Sequence, residues 1–227
     1  MTSHEPLGDL FDPNAEFTIS EHFRPHWAQA GSVVFITFRT VDSIPHEVVQ
    51  RWDHEKTEWL KANNYPYDAH WSKIIPKLDG PSRIRFHRHF DRCREIFLDT
   101  CQGECLFKTT ALAQIVADSL MHFDGDRYQM GDFVVMPNHV HLLASFKSEE
   151  MIVTQCDSWM HYTARQINLR TGRKGKLWQQ EPFDHLVRNL TQYECLRTYI
   201  RENGPSANLS EGAYLYRRRN DSSSNSK

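Results

Sequence analysis

The sequence contains no run close to the roughly 18 consecutive apolar residues that a bilayer-spanning helix requires. Its opening, MTSHEPLGDLFDPNAEF, lacks a basic segment followed by an apolar one, so no secretory leader is read there. Together these absences predict a cytoplasmic protein. Cysteine is scarce and odd in number, five in 227 residues, which suits a reducing compartment and gives no disulfide framework. Cys101 and Cys105 are spaced like half of a zinc site, but no second Cys or His pair follows at finger spacing, so a structural zinc is not expected. Strong net charge is missing as well. Twenty-seven Lys and Arg stand against 29 Asp and Glu, a formal −2, and that balance by itself speaks against a nucleic-acid partner. The average hides a gradient: from residue 160 onward there are 12 Lys and Arg against 6 Asp and Glu, a surplus of +6, and residues 1–159 carry the remaining −8. The C-terminal third is therefore the part suited to phosphates.

What is present is an ordinary globular composition, 39% hydrophobic and 25% charged, in a length that suits one sizeable domain. GSVVFITFRT, residues 31–40, is β-branched and aromatic and reads as the first strand. Three helical stretches follow: PHEVVQRWDHEKTEWLKANN, started by Pro45; SRIRFHRHFDRCREIFLD; and TTALAQIVADSLMHF, ended by Asp124-Gly125. RYQMGDFVVM and HVHLLASF alternate as strands about a bend at Pro137-Asn138. A further helix opens on Ser148 and two acids and stops at Gly172. RKGKLWQQEPFDHLV holds a short strand or turn, and TQYECLRTYIREN is a last helix, stopped by Gly204-Pro205. This order predicts an α+β sandwich, an antiparallel sheet with helices packed on one face. Residues 1–30 read as an N-terminal extension and 31–210 as the main domain, with a helical insertion at about 45–98 after the first strand. Residues 211–227, ending RRRNDSSSNSK, read as a basic, disordered tail.

Two histidine pairs invite comparison. His87 and His89 lie in a helical context, where residues two apart point about 200° apart around the axis and cannot converge on one ion. His139 and His141, in GDFVVMPNHVHLLASF, are two apart on a strand and share a face. Two imidazoles on a rigid strand can grip one metal ion or one anionic group; alternatively they are polar side chains of an exposed edge strand. The pair does not select a reaction, because hydrolases and oxygenases use it too. TYIREN supplies candidates for the missing parts, since Tyr199 and Asn203 are four apart and share a helical face. A phenol is a poor nucleophile at its free pKa of about 10 and needs a nearby metal or base to attack phosphorus. The same spacing also fits a core aromatic between Leu196 and Ile200, and an ordinary helix end at Asn203.

Taken together, FITFRTVDSIP, HFDGDRYQMGDFVVMPNHVHLL, TARQINLRTGRKGKLWQQEPFDHLVR and YIRENGP resemble, in content and order, the REP-associated tyrosine transposases, a branch of the HUH single-tyrosine transposases and nucleases. The resemblance implies a ferredoxin-like or RRM-like sheet whose central strand carries His139 and His141. It implies a helix that turns the Tyr199 hydroxyl toward a Mg²⁺ or Mn²⁺ ion, with Asn203 as the third, helix-borne ligand. The activity it implies is that of a single-strand DNA endonuclease and strand transferase, which nicks beside palindromic hairpins, keeps the 5′ phosphate on Tyr199 and releases a 3′-OH. It also implies a cytoplasmic protein of the bacterial nucleoid, monomeric or dimeric, with no organic cofactor and no membrane partner. Two imidazoles and one amide oxygen leave coordination positions open for a scissile phosphate. A covalent phosphotyrosine keeps the energy of the broken phosphodiester, so strands can rejoin without ATP.

In this reading the basic loop RTGRKGKLWQQ is a DNA cradle, with Arg170, Arg173, Lys174 and Lys176 on phosphates and Trp178 as a stacking surface. His185 and Arg188, in DHLVR, extend it; His185 either touches DNA or braces the site. A solvated charged loop is the alternative. Tyr162 ranks below Tyr199 because relatives often carry Phe there. Where the family reads Asn-Pro, this chain reads Asn203-Gly204-Pro205, which can shift the helix cap and the amide meant for the metal. That departure and the low net charge leave open a hairpin-binding protein impaired in cleavage. A third reading, from another class, is a hydrolytic metalloenzyme with a small substrate and a deep pocket.

Overall fold

The computed structural model describes residues 5–21, 25–180 and 182–219. It divides into two compact units, Asp42–Glu104 and a larger one made of Met1–Val41 with Cys105–Lys227. In the smaller unit, α1 (His46–Ala62), α2 (Trp71–Ile74) and α3 (Gly80–Asp99) enclose an apolar cluster. Pro45 stands just before α1, where a missing N–H costs nothing. Asp79 caps α3 by accepting the Ser82 backbone N–H at 3.0 Å. Leu60, Ile74, Ile75, Phe86 and Phe90 form the core, with the Trp59 ring edge-on to Phe86 at 5.2 Å. His87 and His89 both lie within α3, so helical geometry keeps them from acting as a chelate.

The larger unit contains β1 (Thr18–Glu21) paired with β2 (Pro25–Ala28), and then a five-stranded sheet. Its strands are β3 (Val33–Arg39), β4 (Tyr128–Val135), β5 (His139–Phe146), β6 (Phe183–Leu186) and β7 (Leu215–Arg217). Its helices are α4 (Thr110–Met121), α5 (Glu149–Thr171) and α6 (Leu190–Ser206). The order across the sheet is β6-β3-β5-β4-β7, with every pairing antiparallel. In chain order, β3, α4, β4, β5, α5 and β6 make a β-α-β-β-α-β set, and their spatial order β6-β3-β5-β4 is the ferredoxin-like arrangement. The α+β sandwich is thus present, and its central strand is β5.

Alternation along the strands decides what each face meets. Val34, Ile36 and Phe38 of β3 and Val140, Leu142 and Ala144 of β5 pack with Val116 and Leu120 of α4 and Trp159 and Ile167 of α5. Each Val, Leu, Ile or Phe side chain among them, fully buried, contributes about 1.5–3 kcal/mol. Met130 and Phe133 both join this core although they are three apart, which strict alternation forbids. A register shift between them resolves the conflict. Gly131 lies within that shift, where a Cβ would come to 2.9 Å from Leu143 and Leu7. The expected ends of α5 are seen: Ser148 stands at the N-cap, although its side chain makes no capping hydrogen bond, Glu149 and Glu150 occupy the first turn, and Gly172 closes the helix at φ 70°.

Three expectations need correction. The strand of residues 31–40 is the third in the chain, because β1 and β2 precede it. α6 does not stop at Gly204-Pro205 but runs on to Ser206. Pro205 has no N–H to give and comes only in the last turn, and the Ala207 and Leu209 N–H groups close the end on Asn203 and Gly204 carbonyls at 3.1 Å. Composition also predicts no structure for residues 211–227, yet β7 forms at 215–217 because β4 offers it an edge to pair with. Residues 220–227 lie outside the described residues. Among the described residues no helix is long and apolar enough to cross a membrane.

Candidate metal and tyrosine site

The face of the sheet turned away from α4 and α5 carries the polar residues. In β5 it is formed by His139, His141, Leu143 and Ser145; opposite them in β3 stand Arg39, Thr37, Phe35 and Val33. His139 and His141 are 0% exposed, so they are not the polar fringe of an edge strand. Their ring centroids are 4.7 Å apart, and each offers a ring nitrogen within 4.8 Å of the other's.

Second partners fix how the rings are turned. His139 Nδ1 lies 2.7 Å from Asn138 Oδ1. An amide oxygen can only accept, so Nδ1 carries the proton and Nε2 keeps its lone pair. His141 Nδ1 lies 2.8 Å from the Thr37 hydroxyl, its cross-strand neighbour, and Phe35 stacks on the His141 ring at 5.4 Å. Such outer partners orient histidine ligands in metal sites.

α6 lies over this same face. Tyr193, Arg197, Ile200 and Gly204 recur at helical spacing as its buried stripe, with Asn203 also buried. Tyr199 flanks the stripe, half-buried, and its hydroxyl reaches to 3.2 Å from His141 Nε2. The Tyr199 ring is 5.1 Å from the His141 ring and 6.2 Å from Phe35. Asn203, one turn later, presents its side chain to His139. The Asn203-Gly204-Pro205 departure therefore leaves α6 unbroken and Asn203 on the inner face. Packing explains the glycine: a Cβ on Gly204 would collide with the Tyr214 ring.

Burial dominates the titration of the pair. It pushes His139 down to about 3, opposed only by the nearby Asn203 side chain. His141 is pushed well below 6.5, first by burial and then by the neighbouring His139. Both rings are neutral in the fold, which is the form that ligates metal. His139 Nε2 is fully buried and makes no hydrogen bond of good geometry among the described residues, as a ligand nitrogen awaiting a cation would be. Two neutral imidazoles with committed Nδ1 atoms and an adjacent amide thus fit a divalent ion.

An acid-stability prediction follows. The unfolded chain protonates each ring near 6.5, whereas the fold resists it, so stability is complete above that pH and is lost as pH falls toward about 3. At pH 5.5, in a chelator, each histidine is expected to cost on the order of 1 kcal/mol. Urea melts at pH 7.5 and 5.5 measure it, and equal midpoints would contradict burial of neutral rings.

A second polar knot lies beside the pair. Asp132, 3% exposed, accepts from Arg197 Nε at 3.2 Å, the Tyr216 hydroxyl at 3.3 Å and the Arg219 backbone N–H at 2.9 Å. Burial, and then the Asp132 charge, raise Tyr216 to about 12, which keeps it a donor. Neither Asp132 and Arg197 nor Thr37 was singled out from the sequence. A lone Asp in an apolar strand, following a glycine, was the available signal.

The remaining sequence-derived residues are dispersed. Arg170, Lys174, Lys176 and Arg188 are exposed and Arg173 is half-buried. His185 shares the histidine face, its ring 5.2 Å from Phe35. Trp178 is corrected: it is 5% exposed, stacked on Phe107 at 5.2 Å, and donates to Thr163 Oγ1 at 2.9 Å. A ring held in the core between two elements offers no face to a base.

No family model and no curated protein matches the chain. Among solved structures, one of a REP-associated tyrosine transposase bound to a REP hairpin is similar at 14% identity, covering 85% of this chain and 76% of that one, with a TM-score of 0.43.

Proposed function

We propose that this chain is a divalent-cation-dependent enzyme that nicks and rejoins hairpin-bearing single-stranded DNA, with Tyr199 as nucleophile. The observation that carries the reading is the 3.2 Å approach of the Tyr199 hydroxyl to His141 Nε2, beside a second neutral imidazole and the Asn203 side chain. Nothing about a core aromatic requires its hydroxyl to meet a buried histidine pair. His139, His141 and Asn203 would hold the ion, Mg²⁺ or Mn²⁺, which when bound polarises a phosphate oxygen and offsets charge gathering at phosphorus.

The chain's own part is nucleophilic. The Tyr199 Oη–P bond forms and the P–O3′ bond breaks; the phenolic proton passes to solvent, and the 3′ oxygen leaves as a hydroxyl after taking up one proton. The bond energy stays in the phosphotyrosine, so the reverse attack by a 3′-OH rejoins strands. A single strand bends into such a site at lower cost than a duplex. The exposed Arg170, Lys174, Lys176 and Arg188 would neutralise its phosphates, and His185, against Phe35, would brace the histidine row. The impaired-binder reading rested on the altered helix end and the low net charge; an unbroken α6 with Asn203 buried does not favour the first ground, and the surplus of +6 from residue 160 onward answers the second.

Incubation with hairpin-bearing single strands and Mn²⁺ is expected to yield a peptide containing Tyr199 that carries a nucleotide mass, and EDTA to prevent it. Cut DNA with no protein-linked nucleotide under either metal would sink the proposal.

A further inference from the structure

On the opposite side of the sheet, α4 and α5 border a groove of about 370 Å³ lined by Ile115, Asp118, Tyr162, Gln166, Leu169 and Arg170. Tyr162 and Leu169 are seven apart, hence on one side of α5, and are 53% and 71% exposed. Single exposed apolar residues are common. Two aligned along one groove, with a guanidinium at its end, form a shaped surface rather than scatter.

The groove's chemistry is specific. Tyr162 offers an aromatic face, and Ile115 and Leu169 offer apolar walls. Gln166 and Asp118 can meet N–H and C=O groups along a ring edge. Asp118 already accepts the Gln114 side-chain amide on one oxygen at 2.7 Å, which leaves its other oxygen for a ligand N–H. Arg170 supplies a cation for a phosphate, and beyond it stand the exposed Lys174 and Lys176. This basic loop leads to the histidine end of the sheet. Leu177 O accepts the Val41 N–H and the Gln179 N–H donates to Arg39 O, both at 2.9 Å, and Arg39 stands opposite His139.

We propose that this groove binds one unpaired base of single-stranded DNA, stacked on Tyr162 with its phosphate on Arg170. The inference rests on the nucleic-acid part of the function proposed above and is independent of cleavage. It gives a role to the second tyrosine that the nucleophile assignment leaves unused. A duplex, whose bases are already stacked, does not satisfy the groove.

The test is fluorescence anisotropy with a labelled oligothymidylate of about twelve nucleotides, in EDTA so that no covalent step contributes. Tyr162→Ala is expected to weaken binding about fivefold or more, and Tyr162→Phe by less than about twofold. Arg170→Ala should flatten the salt dependence. All three substitutions fall on exposed side chains, so folding is not at stake. With 5-iodouracil in the probe, ultraviolet crosslinks should map to the peptide that contains Tyr162. Unchanged affinity in Tyr162→Ala, crosslinks confined to other peptides, or no binding by the unaltered protein overturns the groove, even where a Tyr199 adduct forms. Tyr162-dependent binding in EDTA, together with no adduct when Mn²⁺ is supplied, upholds the groove and removes the cleavage proposal instead.

Discussion

Tyr199→Phe is expected to abolish covalent linkage of DNA while leaving the protein folded. The substitution removes one oxygen and nothing else. The ring keeps its place 5.1 Å from His141 and 6.2 Å from Phe35, so packing survives. The lost hydrogen bond to His141 Nε2 is half-buried, and a bond of that kind contributes about 0.5–1.5 kcal/mol net. The urea midpoint should therefore move only slightly, whereas no other atom of the residue can form an ester with phosphorus. Tyr162→Phe serves as the control and should keep the adduct, because Tyr162 is exposed beside α4, across the sheet from the histidines. Labelled DNA on a denaturing gel, followed by peptide mass, reads both variants. An adduct persisting in the Tyr199→Phe protein would move the nucleophile elsewhere and with it the whole assignment.

What the sequence discloses about this site is what local periodicity can carry. Strand spacing puts His139 and His141 on one face, and helix spacing puts Tyr199 one turn from Asn203; both hold in the structure. Helix ends marked by Pro45, Ser148 and Gly172 were legible for the same reason, since capping is decided within a few residues. The contacts that complete the site are not local. Thr37 meets His141 across 104 positions, and Asp132 meets Arg197 across 65. No window of sequence displays such pairs. Trp178 shows the same limit from the other side: its basic neighbours suggested a surface, but Phe107 and Thr163, from other elements, draw its ring into the core. β7 is ordered by an edge of β4 that composition cannot reveal.

Asp132→Ala is expected to cost about 3–5 kcal/mol, the loss typical when one partner of a buried ion pair is removed. The Arg197 side chain is itself 9% exposed, so its charge would be left in the interior with only the half-exposed Glu194, at 3.7 Å, to answer it. Three elements lose their common acceptor at once: α6 through Arg197, β7 through Tyr216, and the segment after it through the Arg219 N–H. Asp132→Asn keeps a carbonyl oxygen for the tyrosine and the amide but not the charge, so it should fall between the two. Local and global effects can be separated. Trypsin should cut at Arg217–Arg219 in the Ala variant at temperatures where the urea baseline still reports a native sheet, because β7 pairs along only three residues and has lost its anchor. Arg197 lies two residues before Tyr199, so loosening it should also slow adduct formation with Mn²⁺ below the melting transition. A variant that lost stability but kept both the protected C-terminal segment and the full adduct rate would show that Asp132 braces the sheet alone and does not hold the tyrosine helix against the histidines.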